Sequence, residues 1–230
     1  MRILILETSG MKGEVALADE NAVLHCQTLS ADRKHARELV PTIDAVLREG
    51  GVKAREIDLL LVNIGPGSYT GLRVGIMCAT SLAYINRCAI LGVQNLAVLA
   101  AEAPVDFAAI CPAVDAQQGM VYCATFDRNV GDGLPALKHE TQILNADEWS
   151  KTLIPGSFVT GPALDRFESV VPAHCVIAQQ GQRHPTAKGV WKVGLADYHA
   201  GRRDDFWSLE PLYLRSSSAE IRWDRRHPQP

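Results

Sequence analysis

The sequence predicts an α/β fold made of two related halves. Apolar runs of strand length alternate with stretches whose apolar residues recur every three or four positions. A strand, an acidic residue, a polar turn, a glycine and a second strand open the chain around Glu7 and Gly13, and the same order returns around Asp115 and Gly119. With 230 residues, 47% hydrophobic and 21% charged, the chain is long and apolar enough for a sizeable core.

Arg2 to Leu6 is a short apolar run ending in Glu7-Thr8-Ser9-Gly10, and Glu14 to Ala18 resumes it, so the start reads as a hairpin. Val23 to Leu29 is a third strand. Asp32 offers an N-cap for a helix to about Glu49, where Gly50-Gly51 stops it. Ala36, Leu39, Val40, Ile43, Val46 and Leu47 make its apolar stripe. Asp58 to Ile64, unbroken and aliphatic, suits a buried parallel strand. It runs into Gly65-Pro66-Gly67-Ser68-Tyr69-Thr70-Gly71, followed by a helix from Leu72 to Asn86. That helix is apolar or small nearly all round, so it needs cover on more than one side. Ala89 to Val93 is a strand and Leu96 to Glu102 a short helix.

At Ala103-Pro104 the pattern restarts. Phe107 to Val114 and Met120 to Phe126 form the second hairpin. Short strands at Phe158 to Thr160 and Cys175 to Ala178 then alternate with modest helices, and the clearest helix starts at Pro185 and ends at Gly201. Beyond Tyr213 the tail is polar and reads as solvated, with RNA contact by its arginines as the alternative.

A formal net charge of -3 excludes a strongly basic nucleic-acid coat. No stretch approaches the ~18 uninterrupted apolar residues of a membrane helix, and no apolar signal core is read at the N-terminus. The six cysteines (Cys26, Cys78, Cys88, Cys111, Cys123, Cys175) show no Cys-x-x-Cys spacing, which predicts a cytoplasmic protein without zinc finger or disulfide framework. One helical turn after His35 stands Leu39, so a helical histidine pair is absent. No Gly-x-Ser-x-Gly elbow appears either. No metal or cofactor is expected.

The glycine-rich segment is the strongest local signal. Gly65, Gly67 and Gly71 lie where a buried strand meets a helix N-terminus, a place whose unpaired N–H groups favour an anion, and Ser68 and Thr70 add hydroxyls. Without a following Gly-Lys-Ser/Thr it is no Walker A loop. The structural reading is a tight turn that packs strand on helix, with Ser68 or Thr70 as the cap. Glu7 and Asp115, at the two hairpin turns, have two readings as well. Facing one another across a cleft they would hold Mg²⁺ through water, as a kinase-like ATPase requires; otherwise they are turn formers.

Gly65 to Gly75 (Gly-Pro-Gly-Ser-Tyr-Thr-Gly-Leu-Arg-Val-Gly) closely resembles the signature of the TsaB (YeaZ) family. The resemblance continues through Leu6-Glu7-Thr8-Ser9, His35 with Glu38 and Leu39, Gly92-Val93 with Leu96, Asp115-Ala116-x-x-Gly119-x-Val121-Tyr122, and Pro211-x-Tyr213-Leu214-Arg215. It therefore covers the chain end to end. Two departures stand out: Glu7, where the family more often has Asp, and Gln117-Gln118, in place of a frequent Arg-Arg pair that bears on any nucleotide or RNA contact.

The resemblance implies the two-lobed actin/sugar-kinase/Hsp70-like (ASKHA) fold. The expected lobes are residues 1–103 and 104–230, with the last segment a candidate to pack back on the first lobe. It implies a non-catalytic subunit that works with a catalytic TsaD-type paralogue and a TsaE-type ATPase, threonylcarbamoylating the adenosine beside the anticodon in tRNAs that read codons starting with A. The paralogue would be met through two helices of the first lobe, or a second copy of this chain would be met when the paralogue is absent; tRNA would be reached through the complex. On those helices Leu39, Ile43 and Leu47 with Met77, Ser81 and Tyr84 are the expected outward ridge, and the stripe of Val40, Ile76 and Ala83 is the opposite phase. The rival functions are an ASKHA-type small-molecule kinase or ATPase and an endopeptidase-like role for which the sequence supplies no nucleophile.

Overall fold

The computed structural model describes residues 1–30, 35–128 and 133–214. The expected N-cap Asp32 and the arginines of the tail lie outside them.

The first sheet contains β1 (Ile3–Glu7), β2 (Glu14–Ala18), β3 (Val23–Thr28), β4 (Leu59–Gly65) and β5 (Ala89–Gln94), in the order β3-β2-β1-β4-β5. The β1–β2 and β2–β3 pairs are antiparallel; β1–β4 and β4–β5 are parallel. The second sheet contains β6 (Ala109–Asp115), β7 (Met120–Asp127), β8 (Ala136–Asn145), β9 (Phe158–Thr160) and β10 (Val176–Ile177), ordered β10-β9-β6-β7-β8. Its pairings repeat those of the first, strand for strand: β6–β7 and β7–β8 antiparallel, β6–β9 and β9–β10 parallel. The duplicated hairpin seen in the sequence is thus the start of a duplicated sheet. Two such mixed sheets with helices make the two-lobed ASKHA fold.

Both faces of the first sheet are apolar because both are covered. On one face Leu4, Leu6, Leu60 and Val62 pack against α1 (His35–Glu49) and α2 (Tyr69–Asn86). On the other, Ile3, Ile5, Leu59 and Leu61 meet Val98 of α3 (Asn95–Ala101) and Ala187, Val190 and Leu195 of α6 (Ala187–His199). The chain therefore returns to the first sheet at α6. The second sheet packs Val121, Cys123 and Val159 with Leu96 and Leu99 of α3, and with Trp149 of α4 (Ala146–Thr152). The small helix α5 (Leu164–Phe167) joins the same core through Leu164.

Several sequence expectations need correction. The last long helix begins at Ala187 rather than Pro185, because the Thr186 hydroxyl caps it by accepting from Gly189 N at 3.1 Å. The helix after the glycine loop begins at Tyr69, one turn before Leu72, because Ser68 Oγ accepts from Gly71 N at 3.3 Å. The ten-residue β8 was not foreseen: its outer half is exposed and register shifts break its pairing with β7, so apolar alternation is lost.

The largest correction concerns α1. Leu39, Ile43 and Leu47 do not form an outward ridge; all three are buried in the core against the first sheet, and Val40 points outward. A helix lying on a sheet has one apolar stripe to give, and the sheet takes it. On α2 the buried residues are Gly71, Leu72, Gly75, Ile76, Ala79 and Ala83, while Met77, Ser81 and Tyr84 are exposed. The outward surface therefore combines Val40 from one expected phase with Met77, Ser81 and Tyr84 from the other.

Candidate functional site

At the end of β1 the chain turns through Glu7-Thr8-Ser9, and the glycine loop leaving β4 lies against that turn. Glu7 is fully buried. Its Oε1 accepts from Ser9 N at 2.7 Å and Ser9 Oγ at 2.6 Å, and its Oε2 accepts from Asn63 Nδ2. Burial pushes the Glu7 carboxyl up to about 7, against the downward pull of the Ser9 and Asn63 bonds. Asn63 Oδ1 accepts from Gly65 N at 2.9 Å, Ser9 O from Ser68 N at 2.7 Å, and Pro66 O from Asn95 Nδ2 at 2.8 Å. Hairpin turn, β4, glycine loop and α3 are thereby knotted together by polar groups that are nearly all buried.

The glycines are required by this contact. A β-carbon on Gly67 would stand 2.4 Å from Ser9 O, and one on Gly71 2.1 Å from Thr8 O. The backbone of Thr8 and Ser9 thus packs directly on the glycine loop and the first turn of α2, leaving no room for a side chain at either glycine. Thr70 is exposed and Ser68 serves as the cap.

Asp115, the acid of the second hairpin, does not join Glu7. Its Oδ1 accepts from Gln117 N at 2.7 Å inside its own turn, and its Oδ2 pairs with Arg166 Nη1 at 3.6 Å. The water-bridged metal pair allowed by the sequence is therefore corrected: Glu7 is walled into the first lobe and Asp115 is held by partners of the second. Among the described residues no group of three or more His, Cys, Asp or Glu is placed to hold a metal ion.

The outward surface of α2 differs in character. Met77 is 70% exposed, Ile85 72%, and Val40 of α1 also faces solvent. Tyr84 lies edge-on to Trp207, with ring centroids 5.3 Å apart, and Phe206 backs both rings. Ser81 is exposed, but its hydroxyl donates to Met77 O at 2.7 Å within the helix. Farther along α2, Arg73 lies 4.2 Å over the Tyr69 ring and donates through Nε to Tyr213 Oη at 2.7 Å. Sequence reasoning missed Asn63 and Asn95, and although it offered the last segment as packing back on the first lobe, it did not name Arg202, Asp204, Phe206 or Trp207. The one available signal was Asn63 itself, a lone amide inside an aliphatic strand.

The family model described as TsaD: tRNA N6-adenosine threonylcarbamoyltransferase matches residues 27–151. The chain is 27% identical over 230 residues to the tRNA threonylcarbamoyladenosine biosynthesis protein TsaB of Bacillus subtilis (strain 168), covering 97% of this chain and 98% of that one. To the protein of the same name from Escherichia coli (strain K12) it is 26% identical over 234 residues, covering 95% and 96%. The solved structure of YeaZ from Pseudomonas aeruginosa superposes with a TM-score of 0.81 at 25% identity, covering 93% of this chain and 99% of that one. No described helix is long and apolar enough to cross a membrane. The chain belongs to the family described as TsaD: tRNA N6-adenosine threonylcarbamoyltransferase, and within it its full-length likeness is to the proteins named TsaB and YeaZ.

Proposed function

We propose that this chain acts in threonylcarbamoyladenosine biosynthesis as a non-catalytic, cytoplasmic subunit that binds a TsaD-type paralogue. The observation that carries this reading is the exposed apolar surface of Val40, Met77, Tyr84 and Ile85, rimmed by Trp207. Scattered apolar residues are ordinary on a surface, whereas a contiguous apolar patch marks a protein contact, and methionine and aromatic side chains are enriched at the centres of such contacts. Leu39, Ile43 and Leu47 have no part in the contact itself; they hold α1 on the sheet. A second copy of this chain takes the same surface when the paralogue is absent. A TsaE-type ATPase joins the assembly, and tRNA is reached through it.

The non-catalytic reading is supported by the state of the cleft groups. Each oxygen of Glu7 already has a protein donor, and within the glycine loop of Gly65, Gly67, Ser68, Thr70 and Gly71 the hairpin turn packs directly on Gly67 and Gly71. The loop is read as a structural clasp. The rival, a small-molecule kinase or ATPase of the same fold, needs these groups free for phosphate and metal. The deciding experiment is co-purification of the full chain with its TsaD-type paralogue, alongside an ATPase assay on each. A complex lost on Met77→Glu, with no ATP turnover by this chain alone, is expected. Turnover by the isolated chain, lost on Glu7→Gln, would establish the rival.

A further inference from the structure

β5 ends the first sheet, so among the described residues one side of its backbone has no strand beside it. Such edges accept foreign strands unless lysine, proline, a bulge or a covering segment blocks them. β5 reads Ala-Ile-Leu-Gly-Val-Gln, with no charge and no proline, and Ile90, Leu91 and Val93 are buried. A short apolar segment of this composition is well suited to pairing.

Residues 202–212 occupy that edge without forming a strand. Asp204 N donates to Ile90 O at 3.2 Å, and Gly92 N donates to Asp204 Oδ2 at 2.8 Å. Arg202 Nη2 donates to Gly92 O at 2.8 Å and to Asp204 Oδ2 at 2.8 Å, while Arg202 Nη1 is held by Asp197 at 2.7 Å. One backbone N–H, one carboxylate and one guanidinium thus reproduce the donors and acceptors an added strand would supply. Leu209 then crosses where Gly92 leaves room: a β-carbon on Gly92 would stand 2.8 Å from Leu209 Cδ1. Leu212 N closes the far end on Ile64 O at 2.8 Å.

We propose that residues 202–212 are an intramolecular guard on the β5 edge, latched by the Arg202–Asp204 pair, and that opening the latch lets β5 pair with β5 of a second copy of this chain. This contact runs through sheet backbone, whereas the guard's Phe206 and Trp207 also pack on Tyr84 of the α2 surface, so the test removes association through α2 with Met77→Glu to read the two apart. The guard has a simple logic. A protein that offers one apolar face for assembly must deny its sheet edge, or the two modes compete.

The test uses the full chain carrying Asp204→Ala, alone and with Met77→Glu to remove association through α2. Hydrogen exchange at the Gly92 amide should accelerate at least about tenfold, since its only described acceptor is removed. Light scattering should show mass rising with concentration above that of the Met77→Glu protein, with far-UV dichroism unchanged. An unchanged Gly92 exchange rate, or faster exchange with no gain in mass, overturns the proposal. Should Asp204→Ala fail to fold, Asp204→Asn decides on the same two readings. Its amide still offers Gly92 an oxygen but no longer charge-pairs with Arg202, so intermediate exchange and a smaller mass gain are expected, and wild-type behaviour in both refutes the latch.

Discussion

Gly75 of α2 lies directly against the Thr8 side chain: a β-carbon there would stand 2.2 Å from Thr8 Oγ1 and 3.3 Å from Thr8 Cβ. Thr8 is fully buried and its hydroxyl has no hydrogen-bond partner among the described residues, so this contact rests on shape. Gly75→Ala should destabilise the chain by ~1–3 kcal/mol through overpacking. Thr8→Ala should cost little by itself and recover much of the loss in the double variant. Denaturant melts of all four proteins give the coupling, and additive effects would refute the contact.

Glu102 supplies a pH dependence. Its Oε1 accepts from Thr186 Oγ1, at the start of α6, and burial pushes its carboxyl up to about 7, with Glu14 adding repulsion and Lys192 opposing it. The folded state therefore holds a proton that the unfolded chain releases near pH 4.5. Stability from this group is greatest below that pH and falls as pH rises towards 7. Glu102→Gln keeps the acceptor oxygen and loses the charge. The variant should match the wild type at pH 4 and exceed it by ~1–3 kcal/mol at pH 8. Equal denaturation midpoints for the two proteins at pH 8 would count against this.

Met77 and Ile43 separate surface from core. Met77→Glu should change stability by no more than ~0.5 kcal/mol while abolishing the proposed partner complex. Ile43→Glu places an unpaired charge among Leu39, Val46 and Leu47 and should cost several kcal/mol, with loss of the cooperative melt. A stable Ile43→Glu protein would mean that α1 is packed the other way round.

Arg128 pins the junction of the lobes. Its guanidinium, nearly buried, donates to Ala100 O at 3.1 Å, Ala103 O at 3.0 Å and Pro104 O at 2.8 Å, the carbonyls where α3 runs out. Arg128→Ala should leave Ala103 O without its described donor, while Ala100 O and Pro104 O keep Ala103 N and Phe107 N, and cost ~1–3 kcal/mol; Arg128→Lys should recover only part of that because an ammonium cannot span all three. Urea midpoints of the three proteins provide the measurement.

Most strands and the buried helices were legible because their signals are local. An aliphatic run such as Leu59 to Val62 is unbroken because both faces of the sheet are covered, and Ser68 caps a helix by a contact three residues away, whereas β8 and the Thr186 cap went unread. What failed was long-range. The apolar stripe of α1 says that Leu39 and Ile43 are covered, but the sequence does not say whether sheet or partner does so. The setting of Tyr84 depends on Phe206 and Trp207, whose placement follows from α6 returning to the first sheet. For the site, the glycine motif announced close packing, but only the geometry identified Thr8 and Ser9 as what fills the space. The burial of Glu7 turns on Asn63, which no motif flagged.

The return of α6 has a consequence for the newborn chain. Ile3, Ile5, Leu59, Leu61 and Leu91 are made early, yet the helix that covers them begins only at Ala187, and the guard on β5 comes later still. A lobe whose strands are synthesised first is thus finished last, after the other lobe has had time to form. During that interval an apolar sheet face and a bare strand edge are presented to whatever waits at the ribosome exit, so cellular yield should depend more on chaperone supply than on final stability.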